Sequence, residues 1–517
     1  MSMWWLANVG PALLAAAALA AAGGRQLRPG WTLKVVGGAA LVALVAAVAL
    51  SGWVAVAGPR SLAPGGLAPL VGTRLDVVSV TMLVLVSFVG WIVVRFAATY
   101  LDGEARQGHF MAWLAVTLAS VMLLVSAGTL PQLVFAWIAT GQGLRHLLLF
   151  YPDRAAARRA ARKKAISTGL ADVALIGSAV LLWQATGTTD IARLLDVARA
   201  GTAPDAMALA AWGIALAALL KSAQFPLHGW LTEVMEAPTP VSALLHAGVI
   251  NAGGFLLIRL ADVMLASPAA LALLAVLGGF TALFGSLVLP TQPAIKTQLA
   301  WSTVAQMGFM LLQCGLGLFY LALLHIVAHS LYKAHAFLSS GGAVERIAAA
   351  RRLGPVAKPD GTAVALAMFG ATILYGALAI GFGAWHKPPQ AVALGAILVF
   401  GVAYLIVQGM SPAAPRPLLQ RTLGFAILAT ASYFLLHDAA AWLAAGTLPP
   451  VPAPGPFQWA LLAVALFAFG GIAVAQAMLP LWCDHPAAER LRIHLSHGFY
   501  VNALLDRVIG SRVLGKA

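Results

Sequence analysis

The segment Lys221–Arg259 reads KSAQFPLHGWLTEVMEAPTPVSALLHAGVINAGGFLLIR. It sets Lys221, His228, Glu233, Glu236 and His246 into apolar sequence around Pro226, Pro238 and Pro240. A charged side chain at the centre of a bilayer costs about 3 kcal/mol on insertion scales, so chains that keep one there use it for ions or protons, or pair it. The prolines interrupt helices, and interrupted helices at membrane depth line water-filled cavities. A re-entrant loop with satisfied polar groups is the plainer reading. The recurrence of similar groups downstream favours an ion path.

Composition sets the solvent. The chain has 517 residues, 61% hydrophobic and 9% charged, with a mean hydropathy of +0.89. Apolar runs long enough to cross about 30 Å of hydrocarbon recur along it. A β-barrel would instead show short alternating segments. The expectation is an all-α polytopic membrane protein with about 13–15 transmembrane helices, some of them broken. Spans are read near 7–23, 33–57, 76–98, 111–128, 131–151, 166–186, 206–235 (interrupted), 240–265, 269–289, 298–313, 317–341, 362–386, 390–409, 421–445 and 457–480. The first run lacks a basic leader and is read as a span, not a cleaved signal.

The net charge of +15 is distributed as the positive-inside rule requires. Arg25, Arg28 and Lys34 flank the first loop, and Arg154, Arg158, Arg159, Arg162, Lys163 and Lys164 fill the fifth. Arg346, Arg351, Arg352 and Lys358 fill the eleventh, and Arg416 and Arg421 bound the thirteenth. Opposite loops such as TLPPVPAPGPF lack basic residues. This predicts an N-terminus outside and a tail from Cys483 to Ala517 in the cytoplasm, and explains the charge without nucleic acid. The tail, ending HLSHGFYVNALLDRV before the last residues, reads as an amphipathic surface helix or a partner-docking segment. Two cysteines, Cys314 and Cys483, make no disulfide framework. Cys483 near His485, His494 and His497 fits no metal-ligand spacing. There is no GxxxxGK[ST] and no GxGxxG opening a helix after a strand, so ATP-driven transport by this chain alone is not expected.

A second polar cluster lies in LLHIVAHSLYKAHAFLSSGG. His325, His329 and Lys333 are spaced i, i+4, i+8 and share one helical face. Histidine exchanges protons near neutral pH, and a desolvated lysine exchanges them far more readily than a solvated one. A stripe of interhelical hydrogen bonds is the alternative. Three groups in register, with Lys221 and His246 on other spans, favour a relay. The i, i+4 histidines also have zinc-ligand spacing, but lack a helical third ligand and face Lys333, which repels a cation.

These segments resemble the proton-conducting, antiporter-like membrane subunit family, which holds subunits of respiratory complex I, Mrp cation/proton antiporters and DabB subunits of inorganic-carbon uptake complexes. The resemblance covers roughly residues 70 to 345. It rests on RLDVVSVTM at Arg74, KKAISTGLADVALI at Lys163–Lys164, the Lys221–Gly248 stretch, and IKTQLAWSTVAQMGFM through LLHIVAHSLYKAHAFLSSG. It implies inverted repeats and a polar axis near the midplane. Lys221 would be the central lysine of a broken helix, His246 the histidine after PTPVSA, and His325, His329 and Lys333 the relay to a second half-channel. Asp172, His228, Glu233 and Lys296 complete the candidate path. No catalytic, cofactor or metal residue is expected in this chain.

Three departures matter. Pumping members carry Trp-Glu in the fifth span, where this chain reads VFAWIATGQG with Ile138 at the glutamate position. Their Asp-Ile-Lys is here Ala294-Ile295-Lys296. No lysine is found in the span near 362–386, where pumping members have one. With the ending LRIHLSHGFYVNALLDRV, these features look most like DabB. That branch implies a bacterial cytoplasmic-membrane subunit that couples a proton or sodium gradient to inorganic-carbon uptake. Its implied partner is a DabA-like peripheral protein on the cytoplasmic side, which holds the zinc and hydrates CO2 in one direction. The alternative is a pumping or antiporter subunit of a complex I, Mrp or membrane hydrogenase assembly. The chain divides into N-terminal spans (1–110), a proton-channel core (111–345), C-terminal spans (346–480) and a basic tail (481–517).

Overall fold

The computed structural model describes residues 4–23, 29–62, 69–202, 204–342, 345, 361–410, 416–482 and 484–510. Arg25, Arg28, Arg346, Arg351, Arg352, Lys358 and Cys483 lie outside them. The fold is helical, in order α1 (Trp4–Gly23), α2 (Pro29–Ala57), α3 (Val77–Tyr100), α4 (Gln107–Val125), α5 (Leu130–Leu148), α6 (Ala155–Thr186), α7 (Ile191–Ala200), α8 (Pro204–Lys221), α9 (Gly229–Glu233), α10 (Thr239–Ala247), α11 (Ala252–Arg259), α12 (Ala261–Leu265), α13 (Pro268–Val288), α14 (Ile295–Gly315), α15 (Phe319–Leu338), α16 (Gly361–Gly381), α17 (Pro389–Gly409), α18 (Arg416–Ala444), α19 (Pro456–Ala477), α20 (Leu479–Trp482), α21 (Pro486–Ser496) and α22 (Val501–Gly510). Among the described residues, 12 helical stretches are long and apolar enough to cross a membrane. Three further helices, α5, α8 and α14, stand where the sequence places its other spans. α5 and α14 are diluted by polar residues, among them Gln132, Gln142, Gln306 and Gln313, and α8 is apolar past its first turn up to Lys221 at its end.

Helix starts follow local chemistry. Asp76 caps α3 in a reciprocal box with Ser79, Thr129 caps α5, and Ser267 followed by Pro268 opens α13, each supplying an acceptor for otherwise unpaired N–H groups. One feature lies outside the all-helical expectation. Strands β1 (Arg60–Leu62) and β2 (Thr73–Leu75) pair antiparallel between α2 and α3, with Ser61 opposite Arg74. Three residues per strand are too few for alternation to register in the sequence.

Close packing of α13 on α14 needs glycine. A Cβ on Gly278 would fall 2.6 Å from the Gly308 carbonyl oxygen, and one on Gly308 would meet Gly278 O at the same distance. In lipid, backbone approach of this kind replaces the hydrophobic drive that holds helices together in water. A buried ion triad fixes a different junction. Asp76 Oδ2 accepts from Arg74 Nε at 2.7 Å and from Arg259 Nη1 at 2.6 Å, tying the start of α3 to β2 and the end of α11.

Both helices of the opening segment are interrupted. α8 stops at Lys221, Ala223 adopts a left-handed φ of 50°, and the chain resumes at α9. Next, α10 ends at Gly248 and a 3₁₀ turn over Val249–Asn251 leads into α11. These breaks fall beside the site.

Candidate proton path

Lys164, Lys221 and Asp172 converge on α5. Lys164, from α6, donates its Nζ to the Gly141 carbonyl at 3.0 Å. Lys221, at the end of α8, donates to the Trp137 carbonyl at 3.4 Å and sits 4.2 Å from the centre of the Trp137 ring. That indole donates to Asp172 Oδ1 at 2.8 Å. One tryptophan therefore bridges the central lysine to a carboxylate on α6. Lys164 and Lys221 share a cavity of about 10 Å³ with Thr168, Trp230, Leu245, Val249 and Ile250, close to the volume one water needs.

Beside the break at Gly248 lies a mainly apolar cavity of about 20 Å³, lined by leucine, valine and Phe255 side chains, that also touches Thr140, Asn251 and Ser330. Asn251 donates to Ser330 Oγ at 2.9 Å, joining α10–α11 to α15. His246 is wholly buried. Its Nδ1 shares a hydrogen bond of 2.9 Å with Thr303 Oγ1 on α14, and its ring stacks on Phe337 of α15 at 4.4 Å.

The second half follows α15. Lys333, fully buried, donates to the Leu299 carbonyl at 3.0 Å. One and two turns back, the His329 and His325 rings lie 5.9 Å apart, and His325 Nδ1 pairs with Gln313 Oε1 at 3.0 Å. Both histidines line a cavity of about 370 Å³ with Gln306, Tyr332 and Tyr433. Neither ring nitrogen of His329 has a hydrogen-bond partner among the described residues. A side chain serving only as interhelical glue would have one.

His228 and Glu233 lie toward the Arg-rich start of α6. His228 is caged by Phe225, Phe284 and Trp301, with ring centres 5.0–6.0 Å away. Glu233 pairs with Lys163 at 2.7 Å and Arg159 at 3.6 Å. Lys296 stands apart, making no hydrogen bond or ion pair among the described residues. No group of three or more histidine, cysteine, aspartate or glutamate side chains with metal-holding geometry occurs among them.

The sequence reading did not select several groups that the fold brings to this line. Lys164 was hidden in a run of basic loop residues. Asn251 and Ser330 carry no charge to betray them. Past His325, Tyr320 Oη lies 3.3 Å from His437 Nε2, and Lys387 is ion-paired with Asp438 beside a cavity of about 580 Å³. Lys387 lies between the end of α16 at Gly381 and the start of α17 at Pro389, so the span near 362–386 holds no lysine.

Comparison with known proteins fits this geometry. Residues 127–378 match the family model described as NADH:quinone oxidoreductase/Mrp antiporter, TM, and residues 62–111 match that of NADH-ubiquinone oxidoreductase (complex I), chain 5 N-terminus. The "Probable inorganic carbon transporter subunit DabB2" of Halothiobacillus neapolitanus is 39% identical over 487 residues, covering 92% of this chain and 87% of that protein. This chain belongs to the antiporter-like membrane subunit family. Within the family, the "Probable inorganic carbon transporter subunit DabB" of Hydrogenovibrio crunogenus is 46% identical over 271 residues, 52% of each chain. The fold is also that of the Mrp complex from Dietzia sp. DQ12-45-1b, with a TM-score of 0.57 and 24% identity across 100% of this chain and 57% of that one. Family members named here are subunits of larger assemblies, and this one is a multi-pass membrane protein.

If His325 and His329 carry protons, glutamine at either position keeps size and hydrogen bonding but cannot titrate. Each replacement is expected to lower ion-coupled transport by roughly tenfold or more, the scale of a lost proton-transfer group, at unchanged protein abundance in membranes. Tolerance of both glutamines would assign the pair to helix packing.

Proposed function

We propose that this chain is the ion-conducting subunit of an inorganic-carbon uptake complex in the bacterial cytoplasmic membrane. Protons enter beside Lys164 and Lys221, pass His246 and Lys333, and leave through His329, His325 and the polar groups around His437, Lys387 and Asp438. The drop in free energy drives one-way hydration of CO2 in a DabA-like partner on the cytoplasmic face, where the zinc resides. The N-terminus lies outside and the C-terminal helices inside. The observation that carries the reading is the set of buried titratable groups in both halves, Lys164, Lys221, His246, His329 and Lys333, in a chain alignable along nearly its full length with a DabB subunit.

The direction of flow follows from the fifth span. Ile138 sits one turn before Gly141 on α5, so position 138 is on the face that Lys221 approaches. The side chain there is apolar, and the acid near Lys221 is Asp172, reached through the Trp137 indole. Among the described residues, Lys221 is held by a carbonyl and a ring face, and its only nearby carboxylate is reached through an indole, so it has no direct acidic partner. That suits inward flow down a gradient. Ile138→Glu would place a second carboxylate against Lys221 and hold the proton. The variant is expected to lower labelled-bicarbonate uptake several-fold in cells expressing the chain with its genomic partner. Raised uptake in Ile138→Glu would favour the pumping mode of the complex I and Mrp relatives.

A further inference from the structure

On the reading that the Lys164–Lys221 line conducts, we propose that the C-terminal helix α22 is a removable plug over its mouth on the Arg-rich face. Asn502 and Asp506, i and i+4 on α22, face the same point. Lys163 Nζ reaches Asn502 Oδ1 at 2.9 Å, Asp506 Oδ1 at 2.5 Å and Glu233 Oε1 at 2.7 Å. Asn502 also donates to Glu233. The side chain of Lys163 is only 7% exposed, so α22 completes the burial of an ion-pair cluster. Gly229 makes room for it, because a Cβ there would collide with the Asn502 side chain.

What the cluster covers gives it a role. Lys163 neighbours Lys164 in sequence, and Glu233 lies one turn beyond Trp230, which lines the Lys164–Lys221 cavity. The lock thus sits on the same two elements, α6 and α9, that line the cavity of the central lysines, and α22 lies over it.

The attachment of α22 is built to move. Gly498, Phe499 and Tyr500 all have left-handed φ, at 56°, 50° and 61°. Glycine adopts this conformation freely, but phenylalanine and tyrosine do so only under constraint. Runs of strained backbone persist where contacts on both sides hold them, and they mark switches. Here the contacts are distinct. Before the bend, Ser496 O accepts from Gln292 at 3.1 Å and Leu495 is buried. After it there is the Lys163 lock. Breaking the lock relaxes the bend, so α22 has two states, open and shut. Leu504 and Val508 on its outer side are 58% and 78% exposed, which leaves the proposed partner a surface by which to draw it away.

The test uses the full chain in proteoliposomes with a trapped pH-sensitive dye and an imposed membrane potential. Asn502→Ala with Asp506→Asn removes two of the three ligands of Lys163. Proton flux is expected to rise roughly tenfold, the scale of one lost charge-assisted contact, and Lys221→Ala added to that protein should return it to background. A second protein carries Gly229→Cys, Asn502→Cys, Asp506→Asn and Cys483→Ser. Reduced, it should conduct. Oxidised, with the helix stapled shut, it should not, and dithiothreitol should restore flux. Equal flux in its oxidised and reduced forms, or no rise in the unlocked protein at wild-type abundance, would overturn the plug. Released flux that survives Lys221→Ala would instead overturn the path on which the plug rests.

Discussion

Lys221→Ala abolishes transport, by roughly a hundredfold or more on the scale of an essential proton-transfer group, while the protein accumulates and assembles normally. The side chain is 3% exposed, and its contacts are a carbonyl at 3.4 Å and an aromatic face. Neither is an ion pair, so truncation strands no opposite charge and the cost to folding is small. Lys221→Arg does not rescue, because a guanidinium stays protonated under all working conditions. The readout is labelled-bicarbonate uptake set against chain abundance in membranes and recovery of the complex by affinity purification. Wild-type uptake in a normally abundant Lys221→Ala protein would remove the central lysine from the mechanism.

The second large effect falls on stability. Asp76→Ala leaves Arg74 and Arg259 facing each other without the carboxylate that accepts from both. The Arg259 and Asp76 side chains are 2% and 1% exposed. Breaking a buried pair from one side costs about 3–5 kcal/mol, most of the margin a folded chain holds. Asp76→Ala also loses the acceptor that caps α3, worth about 1 kcal/mol more. The variant is expected to be nearly absent from membranes. Arg259→Met alongside Asp76→Ala removes one stranded charge and should recover part of the protein. Normal abundance of Asp76→Ala alone would show that the triad contributes little.

The architecture was legible because hydrocarbon leaves few options. Long apolar runs with breaks at proline had to be helices and interrupted helices. Lys221, His246, His329 and Lys333 stood out because a titratable residue in such a run is costly, and the fold buries all four. The missed groups were invisible for physical reasons. Lys163 and Lys164 are adjacent in a run of six basic residues, and nothing local tells that one pairs with Glu233 while the other turns to Gly141. The tail read as an amphipathic surface helix or a partner-docking segment, and its inward contacts left no mark in the sequence. In the fold, Gly498 packs against Trp301 and Asn502 reaches Lys163, 339 residues away in sequence. Pairings at that separation leave no periodic trace.

The account stands on an inward ion gradient doing the work. The direct measurement is labelled inorganic-carbon uptake in cells carrying this chain and its genomic partner, under two treatments. A protonophore should collapse uptake to background within the time the gradient takes to dissipate. Depleting ATP while an imposed gradient is maintained should leave it nearly unchanged. Uptake that persists after the gradient is gone, or that fails with ATP while the gradient holds, would contradict the reading of this chain as the subunit that couples ion flow to carbon capture.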